Sequence, residues 1–185
     1  MLDDVARCRG VSLRIVLDLL PGPAARSAPG ARLADIWSDL VDWGPVTFTV
    51  HTEDGVFETK APMPPGSEAR GYFNLHGESP LGGHLRIARC AAIYFVDRPF
   101  FGRRSCSLQF VNIDGGAMFK VFVGRDEKRE LLADQLAHFE RLRDAETSQA
   151  WQREPSAVVG STQSRRSWPE GIRLRLSPER GTPPL

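Results

Sequence analysis

The chain has 185 residues, 41% of them hydrophobic and 25% charged, with a formal net charge of +1, which predicts one globular domain of ordinary size. A net charge this close to zero gives no strong field toward nucleic acid or an anionic membrane, so neither is expected as a partner. The three cysteines, Cys8, Cys90 and Cys106, are odd in number and widely spaced, which argues against a disulfide framework and a structural zinc site and favours a reduced, cytoplasmic compartment.

The first thirty residues are predicted to form two short helices and a linker. Leu2, Val5 and Ala6 share one helical face, and Ser12 can cap a second helix after a break at Gly10. The acidic start is unlike a signal peptide, and no apolar run reaches the roughly 18 residues of a membrane helix, so we expect neither export nor stable membrane insertion. Residues 21–30 contain three prolines and two glycines, a composition that predicts a linker rather than a helix or a strand.

The two N-terminal helices also suggest a DNA-binding interpretation, because two short helices around a glycine turn are similar to a helix-turn-helix. A recognition surface of that kind must be basic, and Asp3, Asp4 and Asp18 work against one. A small helical segment is therefore the preferred interpretation, with a DNA-binding regulator as an alternative.

Between residues 46 and 123 the apolar residues recur with a period of two, which predicts strands. Short turns such as Asp54-Gly55 separate the runs, so the strands should pair antiparallel in a β-meander of about seven. The predicted strands span residues 46–51, 56–61, 72–76, 84–87, 91–96, 105–113 and 117–123. Residues 97–102, which include Pro99, are predicted to form a loop.

Two helices flank this predicted sheet. The first spans residues 31–41, and the second begins at Asp126, which can cap it, and runs to about Arg143 with its apolar stripe packed on the sheet. The fold class is therefore α+β. We expect three segments, namely a helical segment and linker over 1–30, an α+β domain over 31–145, and a disordered, mildly basic tail over 146–185.

A candidate ligand site lies in the stretch from Gly71 to His84. His76 and His84 lie here beside Tyr72, and His51 ends the first strand of the predicted sheet. Imidazole suits iron, copper, zinc and nickel alike, and the spacing matches no zinc motif. A histidine on a polar strand face is also commonly hydrogen-bonded without any ligand, so the residues alone leave both interpretations open.

Four arginines lie near this stretch in the sequence: Arg86, Arg98, Arg103 and Arg104. Guanidinium groups suit a ligand that carries two carboxylates, and plain surface charge is the alternative for at least two of the four. The sequence has no nucleophile elbow, P-loop, Rossmann fingerprint or HExxH motif, so no protein group is evidently poised for chemistry.

Several phrases, in their order and spacing, are similar to the HutX/ChuX family of intracellular heme-utilisation carrier proteins. They are D-W-G-P-V-T at 42–47, G-Y-F-N-L-H-G at 71–77, G-G-H-L at 82–85, R-C-A-A-I at 89–93, R-P-F-F-G at 98–102 and A-M-F-K-V-F-V-G-R-D-E-K-R at 117–129. The resemblance covers roughly residues 2–145. It implies a cytoplasmic homodimer that binds b-type heme non-covalently and hands it to a heme-receiving or heme-degrading protein.

The resemblance also implies the ligands of the heme iron. In this family, ligation is assigned to the histidine that ends the V-T-x-x-V-H strand, here His51, and to the one in the G-H-L phrase, here His84, with one or both binding. Tyr72 is a further candidate, His76 could compete, and Arg86 could face the propionates. The fold should be similar to one half of the larger HemS/ChuS heme proteins. Some of those are reported to break the heme ring, so a heme-degrading enzyme is an alternative to the carrier.

Overall fold

The structure is a computed structural model that describes the backbone of residues 1–151 and the side chains of residues 1–147. Its helices are α1 (Leu2–Arg9), α2 (Leu13–Asp18), α3 (Leu33–Val41) and α4 (Ala133–Trp151). Its strands are β1 (Ala25–Pro29), β2 (Pro45–His51), β3 (Val56–Pro62), β4 (Gly66–Ala69), β5 (Tyr72–Leu75), β6 (His84–Leu85), β7 (Cys90–Phe100), β8 (Arg103–Asn112) and β9 (Ala117–Phe122). The predicted α+β class is confirmed, and the predicted tail lies outside the described residues from 152 onward.

The strands form two antiparallel sheets. The larger has the order β1-β7-β8-β9-β2-β3 and the smaller has the order β4-β5-β6. The antiparallel pairing agrees with the prediction, but the arrangement is not a single meander of about seven strands. Pairing of β1 with β7 and of β2 with β9 joins distant parts of the chain, and local turn signals cannot reveal such pairs.

The larger sheet carries helices on both faces, and the central strand β7 shows this. Ile93 and Phe95 belong to the main core with residues of α3 and α4. Ala92, Tyr94 and Val96, which alternate with them, pack in a second cluster with residues of α1 and α2. Burial of both faces explains why the sequence of this strand is almost entirely apolar.

Helix α3 buries all four apolar residues of its predicted face, and these residues are 0% exposed. Trp37 lies at the centre of this face. Its Nε1 donates a hydrogen bond of 2.7 Å to the carbonyl oxygen of Pro64. Its ring meets Phe73 of β5 and Phe119 of β9 edge-on, at centroid distances of 5.6 and 5.7 Å. The indole therefore joins the smaller sheet to the larger one.

Strand β1 lies where a linker was predicted over residues 21–30, so that prediction was wrong for 25–29. The small side chains of this segment fit beside β7, and Ala28 is only 2% exposed. Pro29 lacks a backbone N–H, but it is the last residue of an edge strand, where a missing donor is tolerated.

Strand β7 continues through Pro99 to Phe100, although residues 97–102 were predicted to be a loop. Strand β1 accompanies β7 only as far as Val96, so no strand on that side requires a donor from Pro99. The hairpin to β8 turns at Phe101-Gly102, where φ is 50° and 75°.

Helix α4 differs from its predicted range of 126–143 at both ends. Asp126 accepts a hydrogen bond of 2.9 Å from the backbone N–H of Glu130, so it stabilises a turn before the helix. At the other end, Arg32 donates two hydrogen bonds of 2.8 and 2.9 Å to Glu146. Residues 146–151, which were assigned to the tail, therefore belong to α4. No local pattern reveals this long-range pair.

The three cysteines differ in their exposure to solvent. Cys8 is exposed, while burial raises the pKa of Cys90 to about 11 and that of Cys106 to about 12, so both buried thiols stay protonated near neutral pH.

None of the helices in the described part combines the length and apolar content that crossing a membrane requires.

Candidate functional site

The smaller sheet brings together four of the predicted site residues. The rings of Tyr72 on β5 and His84 on β6 lie 6.3 Å apart, centroid to centroid. The guanidinium carbon of Arg86 lies 5.9 Å from the centre of the Tyr72 ring. His76, just after β5, lines with Tyr72 and His84 a groove of about 660 Å³. Both histidines are exposed, so this groove is open to solvent.

A hydrogen bond determines which nitrogen of His84 is free. Its Nδ1 lies 2.7 Å from Oδ1 of Asn74. The Asn74 amide nitrogen donates to the backbone carbonyls of Ser67, Ala69 and Tyr72 at 3.2, 3.4 and 3.2 Å, so the amide oxygen must face His84. A carbonyl oxygen only accepts, so we assign the proton to Nδ1. The Nε2 lone pair of the neutral ring is then left for a metal.

His76 is held differently. Its Nε2 lies 2.7 Å from the hydroxyl oxygen of Ser67, and its backbone N–H donates to the carbonyl of Pro65 at 2.8 Å. The ring nitrogen that stays free in His84 is therefore engaged in His76. Of the two histidines in the groove, His84 is the better placed to bind a metal.

His51 lies apart from this groove, at the end of β2 in the larger sheet. The expectation that His51 and His84 lie in one sheet was wrong, because β4, β5 and β6 form a sheet of their own. His51 lines a cavity of about 300 Å³ with Lys60, Lys120 and Arg125, and its side chain is only 8% exposed. The cavity and the groove share no lining residue.

Helix α1 brings a carboxylate to His51. Oδ2 of Asp3 lies 3.4 Å from Nδ1 of His51, and the same oxygen pairs with the Lys120 ammonium, whose side chain is 4% exposed. Burial opposes ionisation of Asp3, but the hydrogen bond and the charge of Lys120 outweigh it and hold the pKa of Asp3 below its usual range. Thr49 Oγ1 and Gln109 Oε1, on the same face of the sheet, are buried without a hydrogen-bond partner. The face beneath α1 is thus polar and incompletely satisfied.

The four arginines considered from the sequence lie in different surroundings. Arg86 is the one of the four that contacts Tyr72 at the groove. Arg103 and Arg104 form ion pairs with carboxylates elsewhere on the protein, and Arg98 lines a small cavity next to α1.

Sequence reasoning missed the residues that hold the two histidines. Asn74 shares a strand face with Tyr72, and this alternation was the available signal for it. Lys120 interrupts an otherwise apolar strand, and a charge inside a buried strand needs a partner. That partner, Asp3, is 117 residues distant in sequence and had been considered only as an acidic charge.

Tyr72, His76 and His84 are the groove residues that could act as metal ligands. Within the described residues, no group of three or more His, Cys, Asp or Glu side chains could hold a metal ion. A heme iron would take one or two ligands from the protein. The Nε2 of His84, next to the Tyr72 ring, is therefore a candidate for such a ligand.

The fold and the groove define a small α+β protein that presents imidazole on an open surface. The sequence profile of the family described as "Haem utilisation ChuX/HutX" matches residues 26–142 of this chain. The chain therefore belongs to the ChuX/HutX family.

Individual relatives agree with this assignment. The chain is 38% identical over 128 residues to the intracellular heme transport protein HutX of Vibrio cholerae, a match that covers 69% of this chain and 66% of that protein. A crystal structure of an Agrobacterium tumefaciens protein is 51% identical, with 77% of this chain and 83% of that chain covered and a TM-score of 0.73. The heme-binding protein ChuX is 34% identical, with 78% and 90% covered and a TM-score of 0.73.

A more distant likeness concerns the fold alone. The heme oxygenase ChuS of Escherichia coli is 17% identical, with 75% of this chain and 42% of that chain covered and a TM-score of 0.63. This confirms the expected similarity between this fold and part of the larger heme proteins.

Proposed function

We propose that this protein is an intracellular heme carrier, which binds heme through histidine and passes it to a downstream protein. The proposal rests on one observation, the His84 imidazole whose Nε2 is left free in an open groove beside Tyr72 and Arg86. Membership of the ChuX/HutX family supports the choice of ligand, because the relatives are named for heme transport and heme binding.

Several features of the groove support the binding of a non-covalent, b-type heme. The neutral His84 ring can donate the Nε2 lone pair to iron, and Tyr72 offers either a ring edge for the macrocycle or a phenol oxygen as a further ligand. Arg86 adds a positive charge that suits a propionate. His76 is a weaker candidate, since Ser67 occupies its Nε2.

His51 is the second ligand that we propose. Its cavity is lined by Lys60 and Arg125 as well as by Glu58, while Lys120 is paired with Asp3, so the lining keeps a small excess of positive charge that suits an anionic ligand such as heme. Because the His51 side chain is 8% exposed, heme can reach it only if the residues around it move. We therefore expect His84 to be the first contact and His51 to bind more slowly.

A carrier is favoured over a heme-degrading enzyme for a physical reason. A carrier must release its cargo, and a groove whose two histidines are exposed to solvent suits release. Ring cleavage instead benefits from a closed site that excludes water around a reactive intermediate. We further propose that the carrier acts in the cytoplasm as a homodimer.

A hemin titration followed by absorbance tests this function. We expect a saturable Soret shift with the wild type. His84→Ala and His51→Ala should each weaken binding about tenfold or more, because loss of a metal ligand exceeds the effect of losing its hydrogen-bond partner. The double variant should show no shift. His138→Ala is the matched control, since His138 lies on α4 against Arg141 and should leave the titration unchanged.

Three other results would change this interpretation. A wild type without a Soret shift would contradict heme binding altogether. A shift that survives in the double variant would move the ligand to Tyr72 or His76. Rapid loss of the Soret band when a reductant is added in air, with release of iron, would favour the heme-degrading enzyme over the carrier.

A further inference from the structure

One nitrogen of the His51 ring faces a carboxylate from helix α1. Nδ1 of His51 lies 3.4 Å from Oδ2 of Asp3 and is buried without a hydrogen-bond partner. The His51 side chain is 8% exposed and the Asp3 side chain is 15% exposed. Hydrogen bonds of this kind usually span about 2.7–3.2 Å. A small movement of either side chain would therefore convert this contact into a hydrogen bond.

Asp3 is held in place by a group other than His51. The Lys120 ammonium pairs with Oδ2 of Asp3, and Lys120 is 4% exposed, so this charge would be left uncompensated if Asp3 moved away. Leu2 and Ala6 pack α1 onto the sheet on either side of Asp3. The carboxylate is therefore fixed before any ligand arrives, which is the condition for orienting a neighbouring ring.

A carboxylate that is paired with an ammonium only accepts hydrogen bonds. A neutral His51 ring can satisfy it only when Nδ1 carries the proton, and Nε2 then holds the lone pair. His51 also lines the 300 Å³ cavity, so the ring has contact with a space for a ligand as well as with the carboxylate. Histidines that bind metals usually donate their second N–H to a carboxylate or carbonyl in this way.

We propose that Asp3 is the positioning residue for His51, which fixes the ring in the Nδ1–H form and directs Nε2 to heme iron, with Lys120 holding Asp3 in place. This inference rests on the proposed function of His51 as an iron ligand. It adds a residue from helix α1, which precedes the part of the chain matched by the family profile, residues 26–142. The role would thus belong to this chain's own N-terminal helix.

The first test uses the protein without heme. The ring signals of His51 in ¹H–¹⁵N NMR spectra report the tautomer. We expect the Nδ1–H form in the wild type, and a mixture of tautomers in the double variant Asp3→Leu/Lys120→Met. The double variant replaces the whole ion pair with apolar side chains, so it does not leave a buried charge unpaired. A pure Nδ1–H form in both proteins would overturn the proposal.

The second test measures heme binding in a His84→Ala background, so that the titration reports His51. In this background, Asp3→Leu/Lys120→Met should lower hemin affinity by about 10- to 100-fold. The iron–histidine stretching band of the ferrous complex should also shift to lower frequency. Asp3→Glu, which keeps the carboxylate, should recover most of the affinity. Asp4→Asn is the matched control, because Asp4 pairs with the amino terminus and Arg7 and acts on His51 only through its charge.

The outcomes separate this inference from the proposed function. If His51→Ala lowers hemin affinity but Asp3→Leu/Lys120→Met behaves like Asp4→Asn, then His51 is a ligand and Asp3 does not position it. If His51→Ala has no effect in the His84→Ala background, the assignment of His51 as a ligand fails and the role of Asp3 fails with it.

Discussion

At the scale of single residues, the groove depends on the orientation of one side-chain amide. Asn74 donates to three backbone carbonyls, two on β4 and one on β5, and these bonds leave its oxygen pointing at His84. The Asn74 amide, held by the β4–β5 hairpin, thus determines which ring nitrogen of His84, 10 residues further on, carries the proton. The Ser67 hydroxyl holds the ring of His76 in a similar way, but it does so through Nε2, which is the nitrogen left free in His84.

This difference predicts opposite results for two substitutions in the groove. Asn74→Leu keeps the size of the side chain but removes the acceptor for Nδ1 of His84, so hemin affinity should fall about tenfold. Ser67→Ala should leave the affinity unchanged or raise it slightly, because it frees His76 alone. Titrations of the two variants check this, and the reverse pattern would make His76 the ligand.

At the scale of elements, the groove is held in place by a close approach between β4 and β5. A Cβ added to Gly66 would lie 2.2 Å from Cε1 of Phe73, so the absence of a side chain at Gly66 is what admits the ring. Phe73 is 4% exposed and packs against Trp37, so its ring has little freedom to move. The smaller sheet is therefore fixed to the core by the face opposite to its groove.

Gly66→Ala should destabilise the protein by about 1–3 kcal/mol, the usual cost of adding a methyl group to a packed core. Gly82→Ala is the control within the same sheet region, since nothing lies within 4 Å of a Cβ at that position. It should change the free energy of unfolding by less than about 0.5 kcal/mol. Urea denaturation of both variants gives the comparison, and equal stabilities would contradict the packing argument.

The elements also show where the sequence was informative. The 3.6-residue period identified α3 and its buried face, because each of its four apolar residues meets the core. The period of two placed His51 with Thr47 and Thr49 on one strand face, and all three line the same cavity. These features depend on neighbours within one element, which a local pattern encodes.

The remaining features depend on pairs that are distant in the chain. Whether His51 and His84 share a sheet is decided by how β2 finds β9 and by how β5 finds β6. The contact of Asp3 with Lys120 and that of Arg32 with Glu146 likewise join opposite ends of the described chain. No spacing rule reaches across such intervals, so the sequence could propose the candidate residues but could not predict their division between the groove and the cavity.

At the scale of the whole molecule, Trp37 connects the two sheets. It is 0% exposed, its ring meets one aromatic residue from each sheet, and its indole N–H satisfies the Pro64 carbonyl in the connection between β3 and β4. Trp37 therefore helps to fix the position of the groove relative to the larger sheet, together with Phe73 and Leu85, which pack in the same core.

Trp37→Ala should lower the free energy of unfolding by about 3–5 kcal/mol, as expected when a large buried aromatic residue is replaced by alanine. The orphaned Pro64 carbonyl adds to this loss. Phe101→Ala is the control, because Phe101 is 92% exposed at a hairpin tip and should change stability by less than about 0.5 kcal/mol. Urea denaturation measures both, and a loss below about 1 kcal/mol for Trp37→Ala would contradict this role.

The order of the strands in the chain also determines when each of the two candidate sites, the groove and the cavity, is completed during synthesis. The groove is built from β4, β5 and β6, which are neighbours in sequence and can assemble soon after they leave the ribosome. The cavity of His51 needs β2, made early, and Lys120 on β9, made late. A nascent chain thus contains every residue of the His84 groove before it contains those of the His51 cavity, which also needs β9 and helix α1.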